Sequence, residues 1–437
     1  MAAVAFNATY ALRLGASNAL IGWLSSIPSL FAMVVLVPAA RFLESRTDRR
    51  PWLRWSLAVG RGAFLGAALV PWVFREHVAE IVVAVLIVRA IPMHFFSAGF
   101  SPMMADVVPV RDRATVMANR SIIMSATTAF FTFLFGKWMD AAAGITWAAF
   151  PTNYQLVYIV GAGAGLLSTY FVSKVEPPAS AVVSRVRRSR AVAAPETDGQ
   201  EAGVTEAATP SQGSRATMRA RWAVLTRAWD GLVHRGKGAW QSVRTATQQN
   251  QGFVRITANT FIFNCGAWLV GPLYTILFVN ELGASDSWIG LNTTLANIGV
   301  IAGNLIGRRL IDRWGTGRTL RTIIPLSASY ALLVALFPNL TLILLWGVLI
   351  NLVNPGVNLS HASTLYELCP QERRASYLAV YATVGNIGAF VMPLIGVALS
   401  DQLDIRWILM IGGLVRLGGA ALFHIFRVRP PAAPAAA

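Results

Sequence analysis

Residues 14–22 read LGASNALIG and residues 282–290 read LGASDSWIG, so one nine-residue phrase returns 268 residues later, each time between two long apolar runs. The same offset pairs Arg41 with Arg309, Glu44 with Asp312 and Arg50 with Arg318, so an acid and its flanking arginines recur after the next apolar run as well. A second echo follows, in which Asp106, Pro109, Arg113 and Ala114 of ADVVPVRDRA match Glu367, Pro370, Arg374 and Ala375 of YELCPQERRA at an offset of 261. Two halves with matching hydropathy and matching short loops are the mark of a duplicated, repeat-built membrane protein.

Composition agrees. Of 437 residues 55% are apolar and 13% charged, about half the charged share of a water-soluble domain. The apolar runs are long enough for a helix to cross roughly 30 Å of hydrocarbon. Spans are expected near 19–41, 53–74, 79–105, 115–137, 152–173, 254–280, 287–307, 320–338, 340–365, 376–400 and 405–427. Met1 to Leu12 reads as the stump of one more. The expected fold is an all-α membrane protein of twelve helices, the first truncated, in two pseudo-symmetric six-helix bundles. Residues 1–174 form the first bundle, 175–252 a linker, 253–429 the second bundle and 430–437 a Pro/Ala-rich tail. Arg13 aligns with Glu281, whose helix begins near Phe253, so the natural protein is expected to start upstream, with a basic leader. Only Cys265 and Cys369 are present, which excludes a disulfide framework or a Cys-rich metal site, and no cofactor is expected.

The net charge of +17 is no sign of nucleic-acid binding, because it is segregated by loop. Of the 37 Lys and Arg, 29 fall on the linker side, 4 on the other (Arg13, Arg75, Lys137, Arg406) and 4 within spans (Arg61, Arg89, Arg255, Arg416). Positive charge marks the cytoplasm, which places the linker and both termini there, in a plasma membrane of bacterial type. In the linker, Met218, Trp222, Leu225, Trp229 and Leu232 share a helical face flanked by Arg219, Arg221, Arg227, Arg235 and Lys237. Residues 215–245 read as an amphipathic helix on anionic lipid; packing beneath the bundle is the alternative.

Over nearly its whole length except the linker, the chain resembles the major facilitator superfamily. The resemblance is carried by the two halves, the basic central linker and the stretch after the eighth span, where Leu310, Asp312, Arg313, Gly315 and Arg318 look like the family's Gly-x-Leu-x-Asp-Arg-x-Gly-Arg-Arg loop signature. In the first half Glu44 takes the acid's place and Arg49 and Arg50 the basic end, while Thr47 and Ala40 stand at the glycines. Arg89 in the fourth span resembles the family's membrane arginine, with Met93 where a glycine usually follows. The resemblance implies transport by rocking of the halves and gating at the linker side by Glu44, Arg50, Asp312, Arg313 and Arg318; plain topology, charge that keeps loops inside, is the alternative. The fifth span reads SIIMSATTAFFTFLFG, without the Gly- and Pro-rich signature of the family's drug/proton antiporters.

Polar stripes supply the candidate substrate residues, since polar atoms in hydrocarbon must face the bundle interior or a wet cavity. Asn351, Asn354, Asn358 and His361 share a face of the tenth span around Pro355, and Thr257, Thr260, Asn264 and Trp268 share one of the seventh. Arg89 is a candidate because a mid-bilayer arginine costs roughly 3 kcal/mol. His94, five residues on, reads as a satisfied interior histidine, and Arg61 and Arg416 as structural. The resemblance implies that the first, fourth, seventh and tenth helices line a central cavity. No Asp or Glu lies mid-span, so the expected substrate is a small neutral polar or anionic solute, and any proton coupling must use a histidine or a helix-end carboxylate. The five histidines are scattered and no hydrolase or metalloprotease motif occurs, so an enzyme is not expected. A monomeric secondary carrier is the leading reading; efflux of lipophilic compounds, or a scaffold or sensor without transport, are the alternatives.

Overall fold

The computed structural model describes residues 2–44, 46, 48–174, 250–370 and 374–425, and the regular structure among them is helical throughout. The linker helix and the Pro/Ala-rich tail lie outside the described residues. After a 3-10 turn, Ala2–Phe6, come α1 (Asn7–Arg13), α2 (Asn18–Glu44), α3 (Arg50–Val73), α4 (Val78–Val88), α5 (Ala90–Val107), α6 (Val110–Ala142) and α7 (Thr152–Ser173). The second half holds α8 (Gln251–Ile276, extended by a π turn, Leu277–Glu281), α9 (Asp286–Trp314), α10 (Thr316–Ala328), α11 (Tyr330–Leu336), α12 (Leu340–Leu368), α13 (Arg374–Ser400) and α14 (Ile405–Ile425). Eleven of the described helical stretches are long and apolar enough to cross a membrane, with α4 and α5 making one crossing and α10 and α11 another. The chain is a multi-pass integral membrane protein.

The repeated phrase is a turn with a cap. Gly15 and Gly283 take positive φ, 89° and 61°, which glycine adopts without a Cβ penalty. Two residues on, Ser17 accepts from the Leu20 N–H and Ser285 from the Trp288 N–H, starting α2 and α9 in the same way. The fourth crossing breaks between Val88 and Ala90 because Pro92 has no N–H for the Val88 carbonyl. One expectation needs correcting. α9 continues to Trp314, so Leu310, Asp312 and Arg313 stand on its last turns and not in a loop; Gly315, at φ 77°, ends the helix.

Within the second half α9 crosses α12 at backbone contact. Gly299, Gly303 and Gly307 make this possible: a Cβ at Gly303 would stand 2.5 Å from the Leu352 carbonyl oxygen, and one at Gly307 2.7 Å from the Gly356 Cα. Between halves, α2 packs on α13 and α6 on α9. The second seam is as close, with Gly136 and Gly290 facing each other and Thr294 Oγ1 donating to the Ala129 carbonyl at 2.8 Å. Thr132 of α6 is buried in this contact, its carbonyl oxygen 2.6 Å from where a Cβ at Gly290 would stand.

The apolar core tells which end is shut. Away from the linker, one continuous cluster joins Phe6, Tyr10, Phe135 and Tyr154 of the first half to Leu273, Ile289, Val397 and Ile408 of the second. Toward the linker the buried residues separate into two clusters, Leu43, Leu53 and Met103 in the first half and Phe253, Ile256, Ile324, Leu365 and Phe423 in the second. The halves are therefore closed on each other opposite the linker and parted on its side.

Candidate functional site

A cavity of about 310 Å³ lies between α8 and α13 of the second half. Thr257, Thr260, Phe261, Asn264 and Trp268 line it from α8, an extent of roughly 16 Å along the helix. Tyr381 and Asn386 face them from α13. The walls carry hydroxyls, amides and aromatic rings, with no charged side chain among the lining residues. Gly388 opposite gives the Trp268 indole its room, since a Cβ there would lie 2.4 Å from the ring. Thr260 Oγ1 is 2.7 Å from His361 Nε2 on α12, so the histidine stands behind the wall and orients a lining hydroxyl. Asn264 and Asn386 make no hydrogen bond among the described residues, and the buried Thr257 hydroxyl has no partner either. These are polar groups aimed at a space that a polar solute can fill.

The α12 stripe divides. Asn351 donates to the Gly347 carbonyl at 2.8 Å and lies against Gly299 of α9. Asn354 Oδ1 accepts from the Ser327 hydroxyl of α10 at 2.5 Å, and that hydroxyl accepts from Arg416 Nη2 of α14 at 3.2 Å. Asn358 is exposed and His361 reaches Thr260. Of the four, only His361 touches the cavity wall, because an arc of about 80° on one helix meets several neighbours.

Arg89 belongs to the first half and does not line this cavity. Its guanidinium lies 4.4 Å from the Phe64 ring centroid on α3, and Nε has no partner. His94 Nε2 lies 2.9 Å from the Pro28 carbonyl oxygen of α2, the interior role expected of it. Arg61 donates to the Gly165 carbonyl at 2.5 Å and to Thr169 Oγ1 at 3.1 Å, and Arg416 sits 4.5 Å over the Phe263 ring. These arginines are held by ring faces, carbonyls and hydroxyls in place of carboxylates.

The signature residues stand at the linker side of the two halves. Asp312, Arg313 and Arg318 are exposed and form no ion pair among the described residues. Arg50 pairs with Asp48 at 3.1 Å in its own loop, and Glu44 closes α2. The opposite side holds a cluster that sequence reasoning missed. Arg13 Nε donates to Asp286 Oδ1 at 3.0 Å across the halves, and the Tyr154 hydroxyl donates to the same oxygen at 2.5 Å. Asp140 accepts from the Asp286 and Ser287 N–H groups at 3.0 and 3.1 Å, capping α9 from α6. One signal was in the repeat itself, where Asp286 replaces the Asn18 of the first copy.

Two bundles built on a duplicated turn, closed on each other at one end, with a polar cavity in the second, define a repeat-built membrane protein. The chain belongs to the Major Facilitator Superfamily, whose profile matches residues 1–245 and 256–437. It is 31% identical over 176 residues to an uncharacterized transporter of Schizosaccharomyces pombe, the match covering 39% of this chain and 35% of that protein's length. Its fold is similar to the inward open conformation of the xylose transporter XylE from E. coli, with a TM-score of 0.65 at 10% identity over 97% of this chain and 90% of the other. A D-xylose-proton symporter gives 0.64 at 14% identity over 98% and 92%, and the nucleoside transporter NupG 0.64 at 10% over 97% and 94%.

Proposed function

We propose that this carrier moves a small neutral polar or anionic solute across the membrane by alternating access, and that the α8–α13 cavity is its substrate site in the second half. The observation that carries this reading is the cavity lining. Asn264, Asn386 and Thr257 offer unpaired amides and a hydroxyl beside Trp268 and Tyr381, with no carboxylate to offset the desolvation of a cation. Aromatic faces flanked by amides suit the flat apolar face and polar edge of a neutral solute, and neighbours of the fold named as xylose and nucleoside transporters handle solutes of that kind. The parted linker side gives the path, and rocking about the α2–α13 and α6–α9 seams would exchange it for one on the other side. The linker is proposed to face the cytoplasm, where Asp312, Arg313, Arg318, Glu44 and Arg50 come together when that side closes.

The test is a thermal-shift screen of the purified protein against neutral polyols and nucleosides, monocarboxylates, and quaternary amines. A ligand stabilises the folded state according to its excess over the dissociation constant. A neutral or anionic compound is expected to raise the melting temperature, and Asn264→Ala to remove the shift. Stabilisation by amines alone would overturn the proposal.

A further inference from the structure

Asp286 is the single buried acid among the described residues, 6% exposed, and it lies on the seam between halves. Its Oδ1 accepts from Arg13 of α1 and from Tyr154 of α7, while its own N–H is held by Asp140 of α6. Arg13 also reaches the Ala284 carbonyl at 3.4 Å. Three elements of the first half thus converge on the first residue of α9, and Arg13–Asp286 is the only ion pair between halves among the described residues.

We propose that Asp286 is a proton site, and that taking up one proton there releases the clasp that shuts the side opposite the linker. The charge count supports this. Two carboxylates, Asp140 and Asp286, face one guanidinium, Arg13; Asp140 is satisfied by the N-terminal N–H groups of α9, so Arg13 is the counter-charge of Asp286. A proton added to the Asp286 carboxylate makes a neutral carboxylic acid. The ion pair is then lost, Arg13 keeps its charge and, with its side chain 34% exposed, turns to water. The closed seam loses its charge-assisted bond while its apolar and glycine contacts stay, which suits a reversible latch.

The other ionisable groups near this end do not replace it. Tyr154 acts as a donor, stacked on Tyr10 at 5.0 Å. Lys137 of α6 is directed to the Phe133 ring, His77 and Glu80 lie 3.7 Å from each other at the start of α4, and Glu281, Asp404 and Arg406 interact with one another on the second half. The duplication adds an independent argument: the first copy of the phrase carries Asn18, an amide of the same shape that takes up no proton, so the turn itself has no need of an acid. The acid is there for what it bonds across the seam.

The inference rests on the alternating-access reading but is tested without any solute. In a background with Cys265→Ser and Cys369→Ser, spin labels are attached at Ala143→Cys and Gln402→Cys, exposed positions at the closed ends of the two halves, and their separation is measured by pulsed resonance from about pH 8 to about pH 4.5. One short distance is expected at the upper pH, and a second, longer one is expected to grow in on acidification. Asp286→Asn should show the longer distance throughout, unchanged by acid. Arg13→Gln and Tyr154→Phe, which leave the acid in place, should show it already at the upper pH. A distance independent of pH in the parent, an acid response kept by Asp286→Asn, or variants as closed as the parent would each overturn the proposal. Opening on acidification in a protein that no solute stabilises would support the proton site and count against the transport reading alone.

Discussion

Asn264 and Asn354 are both amides on helices of the second bundle, and their surroundings assign them different work. Asn264 faces the cavity unpaired, whereas Asn354 joins α12 to Ser327 and, through it, to Arg416. Asn264→Ala should weaken ligand binding about tenfold, the loss of one hydrogen bond of roughly 1.4 kcal/mol, with the melting temperature of the free protein unchanged. Asn354→Ala should do the reverse, costing on the order of 1–2 kcal/mol of stability by leaving the Ser327 hydroxyl without its acceptor while affinity holds. Titration calorimetry and thermal melts on the two variants check the pair; matching effects would remove the distinction. The α8 face was legible in the sequence because Thr257, Thr260, Asn264 and Trp268 meet one neighbour, α13, across one gap. The α12 stripe was legible only as a stripe. Periodicity gives the face a residue occupies, and the identity of the neighbour across from it depends on tertiary packing. Arg89 shows the same limit from the other side. Its cost in the bilayer was readable, but the ring that holds it, Phe64, is on another helix.

At the scale of elements, the readable signals were those with a local cause. LGAS is a positive-φ glycine followed by a serine cap, and both copies make the same turn. Gly283→Ala should cost about 1 kcal/mol in a thermal melt, the strain of a Cβ in the left-handed region. The α9 stripe of Gly299, Gly303 and Gly307 also stood in the sequence at spacings of four, yet its meaning needed the partner, α12, whose backbone touches it. Gly303→Leu should destabilise by about 1–3 kcal/mol or more, since the obstacle is the Leu352 carbonyl and not a movable side chain. An unchanged melting temperature would show that the two helices separate freely. Residues 215–245 lie outside the described residues; their basic, tryptophan-bearing face is proposed to hold anionic lipid. Deleting them should lower binding to anionic vesicles in a flotation assay and leave ligand-induced stabilisation intact.

For the whole molecule, the duplication made the two-bundle plan readable, because an echo of loops and spans needs no knowledge of packing. Which end is closed was not readable. Asp312, Arg313 and Arg318 of the linker side are exposed and form no ion pair among the described residues, while Arg13, Tyr154, Asp140 and Asp286, unremarkable as loop-end residues in the sequence, meet across the seam. A sequence records all conformations of a carrier at once, and the structure shows one of them. The central claim is that the parted halves present the α8–α13 cavity to a solute without positive charge. The most direct measurement is ligand-induced stabilisation of the purified wild type and of Asn264→Ala and Asn386→Ala against matched neutral, anionic and cationic panels. The account predicts that a neutral or anionic compound raises the melting temperature of the wild type and that both substitutions reduce the shift. Stabilisation confined to cationic amines, or a shift that both variants retain in full, would contradict it.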